Sequence, residues 1–392
     1  MSLSVRIALA ILIVAGIAAG AWALSLRPGE GRALSLSLIF GAAFGVVLQR
    51  ARFCFYCNFR DLIEKREASG VLAIIAALAV GAVGYAIVFG AWLPDPHGNR
   101  LPPDAHVGPI SLILPVAAFV FGVGMAISGS CLSAHLYRLG EGSPVAPFAL
   151  VGAALGFMLG FVTWNPLYIA VVSEAAPVWL PRSLGYAGSL ALTLLVLALL
   201  AAAVVAIARK SEPEAREPLT LAGAARAVFV RRWPAGIAGI AIGAIATAAY
   251  FRVAPLGVTA ELGSLARTAG SSAGLVPETL HGLDGFRGCA TAVKTAILSR
   301  NGMFVVGLVG AAFASALIAG QFTPRLPRVR DVVRGLAGGL LLGWGAMTAL
   351  GCTVGVLLSG IHAGAASGWV FLIACALGAA LALPLWRRLQ GS

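Results

Sequence analysis

The chain is dominated by long apolar runs that are separated by short polar loops. Windowed hydropathy predicts about ten segments that reach the ~20 apolar residues needed to cross the hydrocarbon layer of a bilayer. They lie near 5–26, 34–50, 71–93, 110–130, 147–172, 185–208, 235–251, 301–320, 332–350 and 368–387. The pattern predicts an all-α, polytopic membrane protein with about ten transmembrane helices.

The composition excludes a water-soluble globular protein. The chain is 59% hydrophobic and only 11% charged, whereas soluble domains carry about 25% charged residues. The first apolar run, Val5 to Leu26, is too long for a signal-peptide core and has no clear cleavage site, so we expect it to be retained as a helix. Glycine-rich spans such as Gly41-xxx-Gly45 and Gly239-xxx-Gly243 predict close helix packing.

The net charge of +13 reflects orientation rather than nucleic-acid binding, because the basic residues lie mostly in loops. One set of alternate loops carries most of them: 50–68, 138–146, 209–232, 321–334 and the tail after 387. The positive-inside rule then places both termini in the cytoplasm. Segment 252–300 is the exception, because it is basic on the opposite side, and we expect it to dip partway into the membrane.

Four parts are predicted along the chain. Residues 1–33 form an extra N-terminal transmembrane helix, and 34–208 form a first membrane half. A polar linker with three prolines follows at 209–234, and 235–392 form a second membrane half of similar size.

Two motifs share a register across the halves. "GMAISGSC" ends one span and "GAMTALGC" ends another, so that Gly122 corresponds to Gly343 and Cys131 to Cys352 at an offset of 221. Because the two spans run in opposite directions under the predicted topology, the halves are predicted to be inverted pseudo-repeats. Transporters with this plan bind their substrate near the midplane, between the repeats.

The small residues at these motifs predict helix breaks. Gly129-Ser130-Cys131 and Gly351-Cys352-Thr353 would let the chain turn and start a re-entrant half-helix, with a thiol at its beginning. Half-helix N-termini present backbone N–H groups and the positive end of the dipole to an anion. The alternative is that the glycines serve packing and each cysteine is a small buried hydrophobe.

The other cysteines carry weaker signals. Cys54 and Cys57 form a C-x-x-C pattern that fits a redox pair, half a metal site, or two unrelated thiols. Cys289 lies between Arg287 and Lys294, cations that favour a thiolate, although a structural role is an equal alternative. Cys375 is expected in the core. The five histidines show no paired ligand spacing, so neither a metal nor a cofactor is predicted.

Several segments together resemble the YeeE/YedE family of inner-membrane sulfur transport proteins. They are "FGVVLQRARFCF", "FGVGMAISGSC" with "LYRLGEG", "GLDGFRGCAT" and "GGLLLGWGAMTALGCTVGVLLSGIHAGAASGWVF". The resemblance runs from about 37 to 387. Relatives often have Gly-Gly-Cys where this chain has Gly129-Ser130-Cys131, and the N-terminal span and the linker are additions to the compact members.

The resemblance implies a multi-pass protein of the bacterial inner membrane that imports thiosulfate through a constricted centre with broken helices. By motif, the thiols lining its path would be Cys54, Cys131 and Cys352. A cytoplasmic sulfur-carrier protein is an implied partner. Neutral thiols suit the task, because a weak S–H donor can pass a soft sulfur anion along, whereas a thiolate would repel it.

Three functions remain open from the sequence. The first is a non-enzymatic carrier or channel for thiosulfate, or for another sulfur or selenium species. The second is a membrane thiol-disulfide oxidoreductase that uses Cys54 and Cys57. The third is metal transport, which the scarcity of histidine and carboxylate within the spans disfavours.

Overall fold

The computed structural model describes residues 2–209, 220–283, 291–294 and 298–391. Two of the predicted secondary site residues, Arg287 and Cys289, lie outside the described residues. Within the described ranges the chain forms helices and no β-strand, apart from two isolated bridges. This confirms the predicted all-α class.

Fifteen α-helices follow one another along the described chain. The first seven are α1 (Leu3–Ser25), α2 (Gly31–Ala51), α3 (Phe55–Lys65), α4 (Ser69–Trp92), α5 (Ile113–Ser128), α6 (Leu132–Gly140) and α7 (Ala146–Leu167). The next four are α8 (Leu180–Ile207), α9 (Leu221–Phe229), α10 (Ala235–Arg252) and α11 (Val258–Ser272). The last four are α12 (Arg300–Ile318), α13 (Val329–Thr348), α14 (Gly360–His362) and α15 (Ala366–Gly391). Two π-helical turns, Tyr168–Val172 and Thr353–Ser359, extend α7 and precede α14.

The number of membrane spans agrees with the sequence. Among the described residues, nine helical segments are long and apolar enough to cross a bilayer. Helix α13 and the bent segment Thr353–His362 make a tenth when they are counted as one span, with an angle of 44° between them. The protein is therefore a multi-pass membrane protein.

Glycines allow the long helices to pack with their backbones in contact, because each lacks the Cβ that would collide with the partner. A Cβ on Gly41 or Gly45 of α2 would overlap the backbone of α12. Likewise, a Cβ on Gly239 or Gly243 of α10 would overlap the backbone of α4. The packing role predicted for both glycine pairs is confirmed.

Most of the long helices pair across the two predicted halves, whereas α8 packs against α4 within the first half. Helix α2 packs against α12, α4 against α10, α5 against α15, and α7 against α13, while α5 and α13 also contact each other. The extra helix α1 packs against α2 and α12. One large apolar core therefore draws residues from both halves, and the inverted repeat and its boundaries stay predictions.

Candidate functional site

Three spans are broken by the same local structure. In each, a residue with positive φ ends the first helix, and a cysteine two positions later, in extended conformation, is the N-cap of the next. The turn residues are Arg52 (φ 52°), Gly129 (φ 86°) and Leu350 (φ 61°), and the capping cysteines are Cys54, Cys131 and Cys352. All three thiols therefore lie at the start of a short helical segment, at the positive end of its dipole.

The third break depends on Gly351. Its φ of 153° lies in a region that side-chain-bearing residues rarely adopt. A Cβ there would also press on Val356 and on the His106 ring. His106 is buried, and its Nε2 lies 2.8 Å from the Leu350 carbonyl oxygen. Burial lowers the pKa of His106, so the ring is neutral at pH 7 and its N–H can donate to that carbonyl.

The three capping thiols are buried in one core, each with 0% of its surface exposed. The sulfurs of Cys54 and Cys131 lie 3.8 Å apart, and the Cys131 sulfur lies 3.3 Å from the Ser133 hydroxyl. Cys352 is within electrostatic range of Cys131, and the Thr259 side chain of α11 approaches it. The structure thus brings together the three thiols that the sequence motifs singled out.

The other residues predicted at the two breaks face the backbone or the packing. Ser130 donates its hydroxyl to the Gly129 carbonyl at 2.7 Å, which fixes the turn before Cys131. Gly129 itself ends α5 through its N–H bond to Met125. Thr353 lines an apolar groove formed by α3, α4, α8 and α15, and Cys375 also lies in the wall of this groove.

Cys57 lies one turn after Cys54 on α3 and has different partners. Its sulfur accepts a hydrogen bond from the Arg138 guanidinium at 3.2 Å and lies 3.8 Å from the Gly129 carbonyl oxygen. Its backbone N–H donates to the Cys54 sulfur at 3.4 Å. The two thiols of the C-x-x-C pair are therefore in contact with each other, and each has a further partner: Cys131 for Cys54, and the Arg138 cation for Cys57.

Arg138 was not singled out from the sequence. It follows Cys131 by seven residues, two helical turns, and so lies on the same face of α6 as the break. That spacing, within the "LYRLGEG" segment, is the signal that could have identified it.

The secondary candidate Lys294 is not a free cation. Its ammonium forms an ion pair with Glu261 of α11, and Ser299 donates to the same carboxylate at 2.6 Å. The Lys294 backbone N–H also donates to Thr268 at 2.9 Å. Lys294 therefore anchors its segment to α11. Cys375 is buried in α15 within the core, as expected.

Two cavities approach the thiols from opposite ends of α7. We call the first, of about 800 Å³, the aromatic cavity; its lining includes Trp92, Arg100, Trp164, Tyr168 and Leu350. It reaches the end of α7 and meets the third break at Leu350.

We call the second, of about 570 Å³, the basic cavity; its lining includes Arg52, Arg138, Glu141, Gln321 and Arg325. It reaches Pro144, just before the start of α7. Arg52 and Arg138 link it to the first two breaks. Between the cavities lie the buried thiols.

Several buried polar atoms near the thiols have no hydrogen-bond partner among the described residues. They are both ring nitrogens of His135, four residues after Cys131, and the hydroxyls of Thr348 and Thr353 beside Cys352. Such an atom costs about 1–3 kcal/mol when it is left unpaired, so a native structure keeps few of them. Their concentration beside the helix breaks distinguishes this region from an ordinary apolar core.

Comparison with known proteins agrees with this architecture. The chain is 28% identical over 365 residues to the thiosulfate transporter TsuA of Spirochaeta thermophila, covering 90% of this chain and 98% of that protein. It is 25% identical over 351 residues to the thiosulfate transporter TsuA of Escherichia coli, covering 87% and 91%. A probable transporter, YedE of Escherichia coli, is 27% identical over 176 residues, 45% of this chain and 41% of that protein. The family model for sulphur transport matches residues 50–381, and the chain belongs to this family.

Proposed function

We propose that the protein is a membrane transporter that carries thiosulfate, a divalent sulfur anion, across the bilayer. The observation that carries the proposal is the row of three buried thiols at helix N-cap positions between two cavities. The family and the transporters named above support the substrate class. Cys54, Cys131 and Cys352 are the contacts we assign to the path, with Gly129 and Gly351 as the turns that shape it.

The chemistry of the centre suits passage rather than storage. A thiol is a weak hydrogen-bond donor and acceptor, so it can exchange contacts with the terminal sulfur of thiosulfate at little cost. Three helix N-termini beside the thiols offset part of the negative charge through their dipoles. Conduction requires sites that are weak and successive, so that the anion can both enter and leave.

The orientation follows from the positive loops. We propose that the basic cavity faces the bacterial cytoplasm, because its lining comes from the basic loops near 52, 138–144 and 321–325. Both termini are then cytoplasmic and the aromatic cavity faces outward. A soluble cytoplasmic sulfur carrier is the partner that we propose at the basic cavity.

An uptake assay tests the function. Cells that lack other sulfur importers and express this chain should accumulate labelled thiosulfate. Cys131→Ala and Cys352→Ala should each reduce the initial uptake rate at least tenfold at equal protein level. Cys375→Ala removes a buried thiol that lies near Cys131 and Cys352 but inside α15 and not at a helix break. This variant should stay within twofold of the wild-type rate. Wild-type uptake by both path variants would remove the thiol row from the mechanism.

The same assay identifies the substrate. Sulfite, sulfate, tetrathionate and selenite should compete more weakly than unlabelled thiosulfate, because none presents a terminal sulfur on a tetrahedral dianion. Stronger competition by selenite would assign the path to a selenium species.

The alternative is the oxidoreductase hypothesis, in which Cys54 and Cys57 cycle as a disulfide. The two side chains are in contact, but Cys54 also contacts Cys131 and Cys57 also contacts Arg138. The transporter names of the relatives favour a protein without enzymatic activity. Mapping thiols by mass spectrometry after oxidant treatment tests the hypothesis directly: a reversible 54–57 disulfide would revive it.

A further inference from the structure

The basic cavity has the charge and the size for a hydrated anion. It is lined by Arg52, Arg138 and Arg325, while Glu141 is the carboxylate in the described part of its lining. A cavity of about 570 Å³ is large enough to admit an oxyanion with its hydration shell.

The three arginines of this cavity are not neutralised by ion pairs. Among the residues that the structure describes, none of the three has a carboxylate oxygen within 4.0 Å. Glu141 instead accepts a hydrogen bond from Gln49 at 3.1 Å. The cavity therefore keeps an excess of positive charge on its wall.

Arg232 lies near this cavity, within electrostatic range of Arg52 and Glu141. Burial and, next, repulsion by Arg52 lower the pKa of Arg232 to about 10, against an opposing effect of Glu141. The three arginines of the lining have no carboxylate within ion-pair distance among the described residues, and they make the basic cavity electropositive. A positive wall attracts anions and raises their local concentration.

Arg138 connects this cavity to the thiols. It lines the cavity, and one of its terminal nitrogens donates to the Cys57 sulfur. The remaining N–H groups of the planar guanidinium can bind two oxygens of an oxyanion side by side. Because α6 rises ~1.5 Å per residue, Arg138 lies only ~10 Å along the helix from Cys131.

We propose that the basic cavity is a binding site for a divalent sulfur oxyanion, in which Arg138, shared with Cys57, holds the anion as it passes between the thiol row and the aqueous side. Arg52 and Arg325 supply the further positive charge. Glu141 keeps the affinity moderate, since a site made of cations alone would retain a dianion. This inference rests on the proposed function and adds to it a second, charged site.

Equilibrium binding to the purified full chain in detergent tests the site, with labelled thiosulfate as the probe. Arg138→Gln and Arg325→Gln should each weaken binding about tenfold at low salt. The loss should shrink at high salt, because the interaction is electrostatic and screened. Glu141→Gln should tighten binding and slow release. Arg328→Gln, an exposed arginine of the same loop that does not line the cavity, is the matched control and should bind like the wild type.

Protection of Cys57 gives an independent readout. Thiosulfate should slow the alkylation of Cys57 by N-ethylmaleimide, measured by peptide mass mapping, because the anion occupies the approach through the cavity. Arg325→Gln, which changes an exposed side chain, should abolish the protection even if Arg138→Gln fails to fold.

The binding and uptake experiments distinguish an error in the proposed site from an error in the proposed function. Unchanged binding and protection in both arginine variants, with normal thiosulfate uptake by the wild type, would overturn the site and leave the function. Arginine-dependent binding of sulfate or thiosulfate without uptake of thiosulfate would support the site and overturn the function.

Discussion

At the scale of single residues, sulfur takes the place that serine or threonine usually holds at a helix start. The Cys54 sulfur accepts the N–H of Cys57, and the Cys352 sulfur accepts the N–H of Val354, both at 3.4 Å. These bonds fix each thiol at the point where its helix begins. A residue that caps its own helix is both a structural and a chemical element of the break.

Serine and alanine at position 352 separate these two roles. Cys352→Ser keeps an N-cap acceptor, and so we expect thermal stability near that of the wild type but much slower thiosulfate uptake. Cys352→Ala removes the cap as well, which costs about 1 kcal/mol, and its melting temperature in detergent should fall. Equal uptake by the serine variant and the wild type would show that the position serves capping alone.

The backbone angle φ of 153° at Gly351 disfavours every residue that carries a side chain. Gly351→Ala should cost at least the ~1–3 kcal/mol of a residue forced into a glycine-only region, and should abolish uptake because the added Cβ meets His106. Gly16→Ala, in α1 with no atom near the added Cβ, should behave as wild type. Melting curves of the two variants check this, and wild-type stability of Gly351→Ala would contradict it.

The sequence predicted part of the site and missed part of it. The matched glycine and cysteine motifs around Cys131 and Cys352 predicted both helix breaks. A turn within a membrane span needs small residues, and these are easily recognised within an apolar run. Arg138 was not predicted as a site residue, because an arginine beside a loop is usually explained by the positive-inside rule for membrane orientation. Only the fold shows that its guanidinium turns back onto Cys57.

At the scale of helices, glycine-mediated contacts hold the bundle together. Gly156 of α7 packs against the backbone of α13 at Leu340, and Gly343 of α13 packs against α7 at Ala153. In lipid, such packing replaces the hydrophobic effect as the main source of helix association. The α7–α13 pair is therefore sensitive to any added volume.

A branched side chain at Gly156 should separate this pair. Gly156→Val should destabilise the protein by at least the ~1–3 kcal/mol typical of overpacking, seen as a lower melting temperature and aggregation in detergent. Gly90→Val, in α4 where no atom lies near the added Cβ, is the control for the change in helix propensity. Equal melting temperatures for both variants would refute the contact.

The boundaries of the long apolar helices could be predicted from the sequence, whereas those of the short helices mostly could not. Each of the ten predicted spans coincides with a helix within a few residues, since hydropathy and length alone define a span. The short helix α6 begins at Cys131, where the break predicted a half-helix. Helices α3 and α11 were not predicted as separate elements, because neither is long enough to leave a hydropathy signal of its own. Helix α9 likewise lies inside the segment predicted as a linker.

At the scale of the whole molecule, the count of spans determines orientation. Nine crossings would place the termini on opposite sides of the membrane, and ten would place them on the same side. With ten, the positive-inside rule predicts that both termini are cytoplasmic. Reporter fusions before residue 2 and after residue 391 should both be fluorescent with a cytoplasm-specific reporter. A reporter in loop 93–112 should be active only outside, and opposite sides for the two termini would require an odd number of crossings.

Which helices meet could not be read from the sequence. Composition shows that α2, α4, α10 and α12 cross the membrane, but each is apolar on every side, so periodicity gives no partner. Their pairing across the halves emerges only from the folded bundle. The offset of 221 between the cysteine motifs remains the sequence's one long-range signal.

The burial of the thiols between the two cavities also has an electrical consequence. Solvent that fills both cavities would conduct, so that much of the membrane voltage would fall across the protein between them. Moving one charge against 100 mV takes about 2.3 kcal/mol, and a dianion therefore about 4.6 kcal/mol. Entry into a negatively polarised cell must then be driven by a steep inward concentration difference, by accompanying cations, or by rapid consumption of the anion inside.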